Sequence, residues 1–232
     1  KLGASIDELI GANLYFVDHT QTLAHVSNGA ITIPIPNNPI TLEKYLPKSI
    51  ALFTWDKDAG EDKDSDYNGR LVPLAIQVDK NETQFEVLVP EDDKGSGLLW
   101  TIAKILFSIT DANAHEMYTH LGSHHFALEA FGAVTARQLS AQHPLHLLLK
   151  PHLRFLLWNN QQGMERLVQP SGPVDILLAG TLRSSLQTSI NAADNWSIKN
   201  TFDEDMKRRN VGAESDLPHY PFRDDGRLIW SA

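Results

Sequence analysis

The 232-residue sequence contains no cysteine. This absence excludes a disulfide framework, a thiolate metal site, an iron–sulfur cluster and a cysteine nucleophile. Long apolar runs are also missing, since none approaches the roughly 20 residues of a membrane-spanning helix. Basic residues are few: 20 Lys and Arg stand against 29 Asp and Glu, for a formal net charge of -9, which disfavours nucleic acid as a partner. Any metal site must therefore use His, Asn or carboxylate ligands.

The residue pattern changes along the chain. The first third carries short β-rich runs at 14–17, 30–33, 50–53, 71–76 and 85–89, each of strand length. From Leu98, apolar residues recur every three or four positions, and no Pro or Gly interrupts the segment to Leu121, which predicts a long core helix. Further helices are predicted after Pro144 and over 173–190, and a loop over 213–226. The pattern thus predicts a mainly α protein with strands in its N-terminal third.

Histidines are concentrated in one part of the chain. Seven of the ten histidines fall within residues 115–152, and imidazole is a common ligand of iron, zinc, copper and nickel. The zinc-protease motif His-Glu-x-x-His is not satisfied, because His120 follows His115-Glu116 one residue too late. Five residues of α-helix turn two side chains about 140° apart. The spacing therefore disfavours a zinc hydrolase.

Two histidine pairs remain open as metal ligands. His120 and His124 are four residues apart and share one face of an α-helix. His120 and His125 are five residues apart and share a face only if the helix has a π-type turn. The α-helical geometry by itself favours His124 as the partner of His120. The remaining alternative is that the cluster consists of ordinary histidines bonded to backbone carbonyls.

A longer set of motifs points to a family. The motifs are Leu99-Trp100-x-x-Ala103-Lys104, His115-Glu116, His120-x4-His125-x3-Glu129 and Thr135-x-Arg137-x-Leu139-Ser140-x-x-His143-Pro144-Leu145-x-x-Leu148-Leu149-x-Pro151-His152. This pattern, which continues without a gap through Asn160, resembles the catalytic domain of lipoxygenases. Residues 69–76 resemble the family's strand before the core helix, and residues 216–226 with Ile229-Trp230 resemble a late loop. The similarity covers nearly the whole chain.

The resemblance implies a fold and a metal site. The expected fold is a mainly α, lipoxygenase-like catalytic domain, whose long central metal-binding helix contains a π-bulge. His120 and His125 become the first two ligands of a non-haem iron, with manganese as a possible replacement. Glu116 matches a Glu or Gln that links the ligand region to the substrate cavity. His124 stands where Thr is more usual; it is either a hydrogen-bond donor to a ligand residue or an accidental neighbour, and we favour the neighbour.

The resemblance also implies a reaction. Lipoxygenases add O2 to 1,4-pentadiene units of polyunsaturated fatty acids such as linoleate and linolenate, and they produce hydroperoxides. Gly163 falls beside the pentadiene, where Gly generally accompanies R products and Ala accompanies S products. We therefore expect an R-hydroperoxide. Leu167 matches a leucine that packs over the pentadiene.

The resemblance further suggests that the chain is one part of a catalytic domain. We expect a strand-rich portion at 1–93, the histidine-bearing helices at 94–168, and a helix and loop portion at 169–232. The family's remaining ligands are a His, usually an Asn, and a C-terminal Ile carboxylate, and we expect them after Ala232. We also expect an N-terminal β-barrel domain elsewhere in the polypeptide, with possible peripheral membrane association through it.

Other expectations concern the behaviour of the chain. Since two histidines cannot hold a catalytic iron firmly, we expect these residues to be inactive without the rest of their polypeptide. We expect a soluble protein, cytoplasmic rather than secreted. The alternative to an oxidoreductase is a metal- or lipid-binding module that has no catalytic activity.

Overall fold

The computed structural model describes residues 14–33, 35–59, 69–81, 84–90 and 97–231. These residues form two compact units. One unit includes residues 14–18, Ser49–Phe107 and the segment from Ser197 onward, and the other includes His19–Lys48 and Ser108–Trp196. Helices account for about half of the described residues and strands for a smaller share, which agrees with the predicted fold class.

The strands build two separate antiparallel sheets. They are β1 (Leu14–Asp18), β2 (Gly29–Ile33), β3 (Ile40–Lys44), β4 (Ser49–Asp56), β5 (Arg70–Asn81) and β6 (Gln84–Leu88). The first unit holds a four-stranded sheet in the order β1-β4-β5-β6, and the second holds the β2–β3 hairpin. All five predicted strands are confirmed. Strand β3 was missed, because its side chains are mostly exposed and it closely follows a proline-rich stretch.

The helices follow the strands. They are α1 (Leu98–Asn113), a π-helix (Ala114–Phe126), α2 (Ala127–Gln138), α3 (Pro144–His152), α4 (Leu156–Arg166), α5 (Pro173–Leu177), α6 (Leu182–Asp194), α7 (Phe202–Arg208) and α8 (Pro221–Trp230). Within the described ranges, no helix combines the length and apolar character that crossing a membrane requires.

The core of the first unit lies between its sheet and the start of α1. Ala51, Ile76 and Val78 are buried on the sheet and pack with Ala103 of the helix. The absence of a large side chain at Ala103, which is 0% exposed, lets the helix approach the strands closely. The periodicity that predicted this helix marks a core face only in part: Ala103 is buried and Leu106 packs against the cluster, whereas Leu99, Ile102 and Ile109 are exposed.

The C-terminal segment is more ordered than predicted. Residues 213–226 were expected to form a loop, but α8 begins at Pro221, where proline suits the first helical position. Arg223 is fully buried and donates hydrogen bonds to the carbonyl oxygens of Ala213 (2.8 Å) and Leu217 (2.7 Å). Burial lowers the pKa of Arg223, but Asp224 and Glu214 outweigh it and raise the pKa overall. Its charge thus holds the helix against the preceding loop.

The second unit has a small core of its own. Leu23, Leu46 and Ala114 are buried together, and Ala179 packs against them. The helix predicted over 173–190 is interrupted, since α5 ends at Leu177 and α6 begins at Leu182. Thr181 caps α6 by accepting a hydrogen bond from the Ser184 amide at 3.4 Å.

The long central helix changes its winding along its length. The uninterrupted helix predicted from Leu98 to Leu121 is confirmed, and helical structure continues to Gln138. From Ala114 to Phe126 the winding is of the π type, which confirms the π-bulge implied by the family resemblance. All seven residues from His115 to Leu121, and the following turn to His125, therefore follow the wider π winding.

Candidate metal centre

The π-helix brings two imidazoles together. At about 4.4 residues per π turn, five residues leave two side chains about 50° apart, rather than the roughly 140° of an α-helix. Accordingly, the Nε2 atoms of His120 and His125 lie 3.1 Å apart, and the ring centroids are separated by 4.8 Å. The structure thus brings His125, and not His124, to the ring nitrogen of His120.

The opposite nitrogen of each ring has a fixed partner. Nδ1 of His120 lies 3.0 Å from Oε2 of Glu116, one turn earlier in the same helix. Nδ1 of His125 lies 2.7 Å from Oδ1 of Asn160, which is buried in α4. Glu116 therefore contacts a member of the pair, as its predicted place beside the ligand region requires.

The partners determine which nitrogen carries the proton. Nδ2 of Asn160 donates to the His125 carbonyl oxygen at 3.1 Å and to Oε2 of Glu129 at 2.8 Å. Both of those atoms only accept, so the Asn160 amide has one satisfactory orientation, with Oδ1 toward the ring of His125. Nδ1 of His125 must then donate. A carboxylate at Glu116 imposes the same requirement on Nδ1 of His120.

The Nε2 lone pairs of His120 and His125 are consequently directed at the same position. A neutral imidazole that is protonated at Nδ1 has an unprotonated Nε2, so neither Nε2 can donate to the other across the 3.1 Å gap. Such a contact between His120 and His125 is unfavourable unless a cation lies beside both atoms. Fixing the tautomer through Nδ1 is how proteins prepare histidine to bind a metal.

The distance between the two Nε2 atoms also suits a transition metal. Two nitrogens that bind one ion at about 2.1 Å and subtend a right angle are about 3 Å apart, close to the observed 3.1 Å. The donor set is neutral imidazole, which suits iron and its neighbours in the first row. Among the described residues, no group of three or more His, Asp or Glu side chains could hold a metal ion. The pair therefore fits part of a coordination sphere.

The other histidines of the cluster stand beside this pair. The ring of His124 is exposed and meets His125 edge-on, with centroids 5.4 Å apart. Desolvation lowers the pKa of His124, and His125 and His120 lower it further. The His115 ring stacks on that of His120 at 6.0 Å. Neither ring reaches the point on which the two Nε2 atoms converge.

A cavity of about 710 Å³ opens beside the pair. Its walls come from the π-helix, α4 and α5, and most of the lining side chains are apolar. They are Glu116, Met117, His120, Leu121, His125, Asn159, Asn160, Gln162, Gly163, Met164, Arg166, Leu167, Val168, Pro173, Val174, Leu177 and Leu178. The cavity is in the volume range of small-molecule sites.

Both predicted pocket residues line this cavity. Gly163 lies on α4, and a Cβ built there meets no atom within 4 Å. Leu167 follows one turn later and is 49% exposed. The structure therefore brings Gly163, Leu167, Glu116 and the two histidines to one cavity, and the roles that the family resemblance implies for them stay predictions.

Sequence reasoning missed two features of the site. Asn160 was noted only as the end of the matched pattern, although it determines the tautomer of His125. Its distance of 35 residues from that histidine leaves no spacing signal. The contact of α6 with the back of the π-helix, through Ser189 and Gly122, was the second, although a helix was predicted in this region. Small residues at helical spacing on α6 were the available signal.

Comparisons with known proteins agree with this geometry. A family model described as Lipoxygenase matches residues 65–232. The linoleate 9/13-lipoxygenase of Pseudomonas aeruginosa is 30% identical over 222 residues, which cover 94% of this chain and 30% of that protein. The chain thus spans less than a third of that relative's length.

Solved structures share the fold. An anaerobic crystal structure of delta413-417:GS LOX in complex with arachidonate matches with a TM-score of 0.77 and 25% identity, over 100% of this chain and 32% of that one. The manganese lipoxygenase of Gaeumannomyces graminis matches with a TM-score of 0.71 and 22% identity, over 100% of this chain and 40% of that one. Since the family model covers most of the sequence and the fold agrees, this chain belongs to the lipoxygenase family.

Proposed function

We propose that this chain supplies two metal ligands and part of the substrate cavity of a fatty-acid dioxygenase. The observation that carries the proposal is the convergence of the two Nε2 atoms, 3.1 Å apart, at the wall of a largely apolar cavity. The histidines His120 and His125 bind the ion, and the cavity accepts the hydrocarbon chain. Polyunsaturated fatty acid and O2 are the substrates, and the product is a hydroperoxide.

Iron is the proposed metal, with manganese as the second candidate. When bound, it supplies the one-electron chemistry that starts oxygenation of a 1,4-pentadiene. The second candidate is supported by the manganese lipoxygenase among the solved neighbours. The remaining ligands, a further His, an Asn and a C-terminal carboxylate, are expected from the rest of the polypeptide.

The chain's own residues prepare the site in two ways. Glu116 and Asn160 hold the proton of each imidazole at Nδ1, so that the lone pair of each Nε2 is directed at the ion. The apolar lining from α4 and α5 excludes water and orients the hydrocarbon chain. In this proposal, Leu167 packs over the pentadiene.

The substrate is proposed from the relatives. The Pseudomonas aeruginosa relative is named for linoleate, and one structural neighbour is complexed with arachidonate. Both compounds contain the 1,4-pentadiene unit. We propose an R-configured product, because Gly163 leaves open space beside the cavity where a methyl group would otherwise shield one carbon from O2.

Metal analysis and oxygen uptake on the full-length protein test the proposal. We expect wild-type protein to contain iron or manganese and to consume O2 with linoleate. His125→Ala should lose the metal and the activity, whereas the matched control His124→Ala should retain both, because its ring does not reach the convergence point. Loss in His124→Ala with retention in His125→Ala would reject the ligand assignment. Metal without oxygen uptake would indicate a binding module instead.

A further inference from the structure

The π-helix is contacted from behind by one buried hydroxyl. Ser189 of α6 is 0% exposed, and its Oγ donates to the backbone carbonyl oxygen of Met117 at 2.6 Å. The same hydroxyl lies 3.4 Å from the carbonyl oxygen of Ser185 in its own helix. The shorter contact is therefore the one between the helices, three residues before His120.

A glycine on the π-helix permits this approach. A Cβ at Gly122 would lie 2.5 Å from the backbone oxygen of Ser189 and 2.6 Å from Cβ of Ala192. Real Cβ atoms do not come so close to backbone, so any side chain at this position would displace α6. The displacement would lengthen the Ser189–Met117 hydrogen bond as well.

The hydrogen bond from Ser189 to Met117 and the close packing at Gly122 both involve the same turn of the π-helix. The i→i+5 pattern that defines π winding pairs the carbonyl of Met117 with the amide of Gly122. Helix α6 therefore contacts both residues that this i→i+5 pattern pairs, Met117 through the Ser189 hydroxyl and Gly122 through close packing. Such winding is rare and is less favourable than α-helix unless tertiary contacts support it. His120 lies between the two ends of this pair, and His125 follows three residues after Gly122.

We propose that Ser189 is a positioning residue for the histidine pair. Its hydroxyl holds the Met117 carbonyl, with Gly122 allowing the contact, and so maintains the π winding that brings His120 to His125. Reversion of this turn to α winding would carry the two rings apart by roughly 90° more. This inference rests on the proposed function, because it assumes that ring convergence serves metal binding.

A neighbouring hydroxyl provides a matched control. Thr188 is 1% exposed, and its Oγ1 donates to the Ser184 carbonyl oxygen at 3.1 Å within α6. Ser189→Ala and Thr188→Val each remove one buried hydroxyl from the same helix. Only the first removes a bond to the π-helix. The two substitutions therefore separate a loss of general stability from a loss of winding.

The experiment uses metal-free full-length protein and Fe(II). Its affinity is measured anaerobically by competition with a chelator, beside the thermal unfolding midpoint. We expect Ser189→Ala to weaken Fe(II) binding about tenfold, and Thr188→Val to change it less than about twofold at a similar loss of midpoint. Equal affinities for the two variants would overturn the inference. Wild-type protein that binds no Fe(II) would instead reject the proposed metal site.

Crystal structures of the metal-free variant and of metal-free wild-type protein give an independent answer. Relative to wild type, we expect the Nε2 atoms of His120 and His125 in Ser189→Ala to lie farther apart, beyond hydrogen-bond distance, with α winding between them. Retention of the 3.1 Å separation would overturn the inference whether or not metal binds. If Ser189→Ala does not fold, Gly122→Ala removes the same contact from the other helix and is judged by the same two measurements.

Discussion

Asn160 and His125 are bonded to each other twice, although 35 residues separate them. Oδ1 of the asparagine accepts from Nδ1 of the histidine at 2.7 Å, and Nδ2 donates to the histidine's own carbonyl oxygen at 3.1 Å. The side chain and the backbone of one proposed ligand are thus held by a single amide. Because the amide also donates to Glu129, its orientation is determined.

Asn160→Leu should weaken metal binding while preserving the shape of the side chain. The substitution removes the acceptor that keeps the proton at Nδ1 of His125 and leaves Glu129 without its donor. Loss of such a partner typically costs 10- to 100-fold in metal affinity, so about tenfold or more is expected. Chelator competition on the full-length protein measures the change.

A control for this substitution lies on the same helix. Gln161 is exposed, and its Nε2 donates to Oε1 of Glu165 at 2.8 Å, so Gln161→Leu should leave metal affinity unchanged. If Asn160→Leu binds metal as tightly as Gln161→Leu does, the amide has no part in preparing the ligand.

Gly163→Ala should change the configuration of the product and not the fold. A Cβ at this position meets open space within 4 Å, so the added methyl group needs no repacking and instead projects into the cavity. We expect the wild-type enzyme to form mainly the R-hydroperoxide and the variant to form more of the S product. Chiral chromatography of products from linoleate measures the ratio, and a mainly S product from wild-type protein would contradict the assignment.

Lys44→Met should loosen the α5 wall of the cavity. Nζ of Lys44 lies 2.7 Å from the Gly180 carbonyl oxygen and 3.3 Å from Oδ1 of Asp175, with both side chains largely buried. Removing the cation leaves the carboxylate uncompensated, which costs about 3 kcal/mol in such sites. We expect a lower thermal midpoint and weaker fatty-acid binding.

Two further variants complete this test. Lys44→Met combined with Asp175→Asn should recover part of the lost midpoint, since no buried charge then stands alone. Lys207 and Glu204 form an exposed pair at 2.9 Å, so Lys207→Met should have little effect. An equal loss of thermal midpoint for Lys44→Met and Lys207→Met would show that burial of the Lys44–Asp175 pair does not increase its contribution to stability.

Local patterns predicted the elements that are buried on one face. The apolar periodicity after Leu98 predicted α1 correctly, because Ala103 and its neighbours face the sheet. Where polar or proline-rich residues form an element, the pattern failed. Strand β3 and helix α8 were missed for this reason. In α8, the buried charge of Arg223, bonded to Ala213 and Leu217, replaces the apolar face that a pattern could have shown.

The amino-acid sequence by itself determined which side chains the site contains and the five-residue interval between His120 and His125. A shared face for that interval needs π winding, which the family resemblance implied, whereas α-helical geometry by itself favoured His124 as the partner. The tertiary structure alone decided that the helix adopts this winding and which nitrogen of each ring is free. Both outcomes depend on contacts from distant segments, Ser189 behind the helix and Asn160 beside it. Local propensity favours ordinary α winding, and only packing against other helices can overrule it.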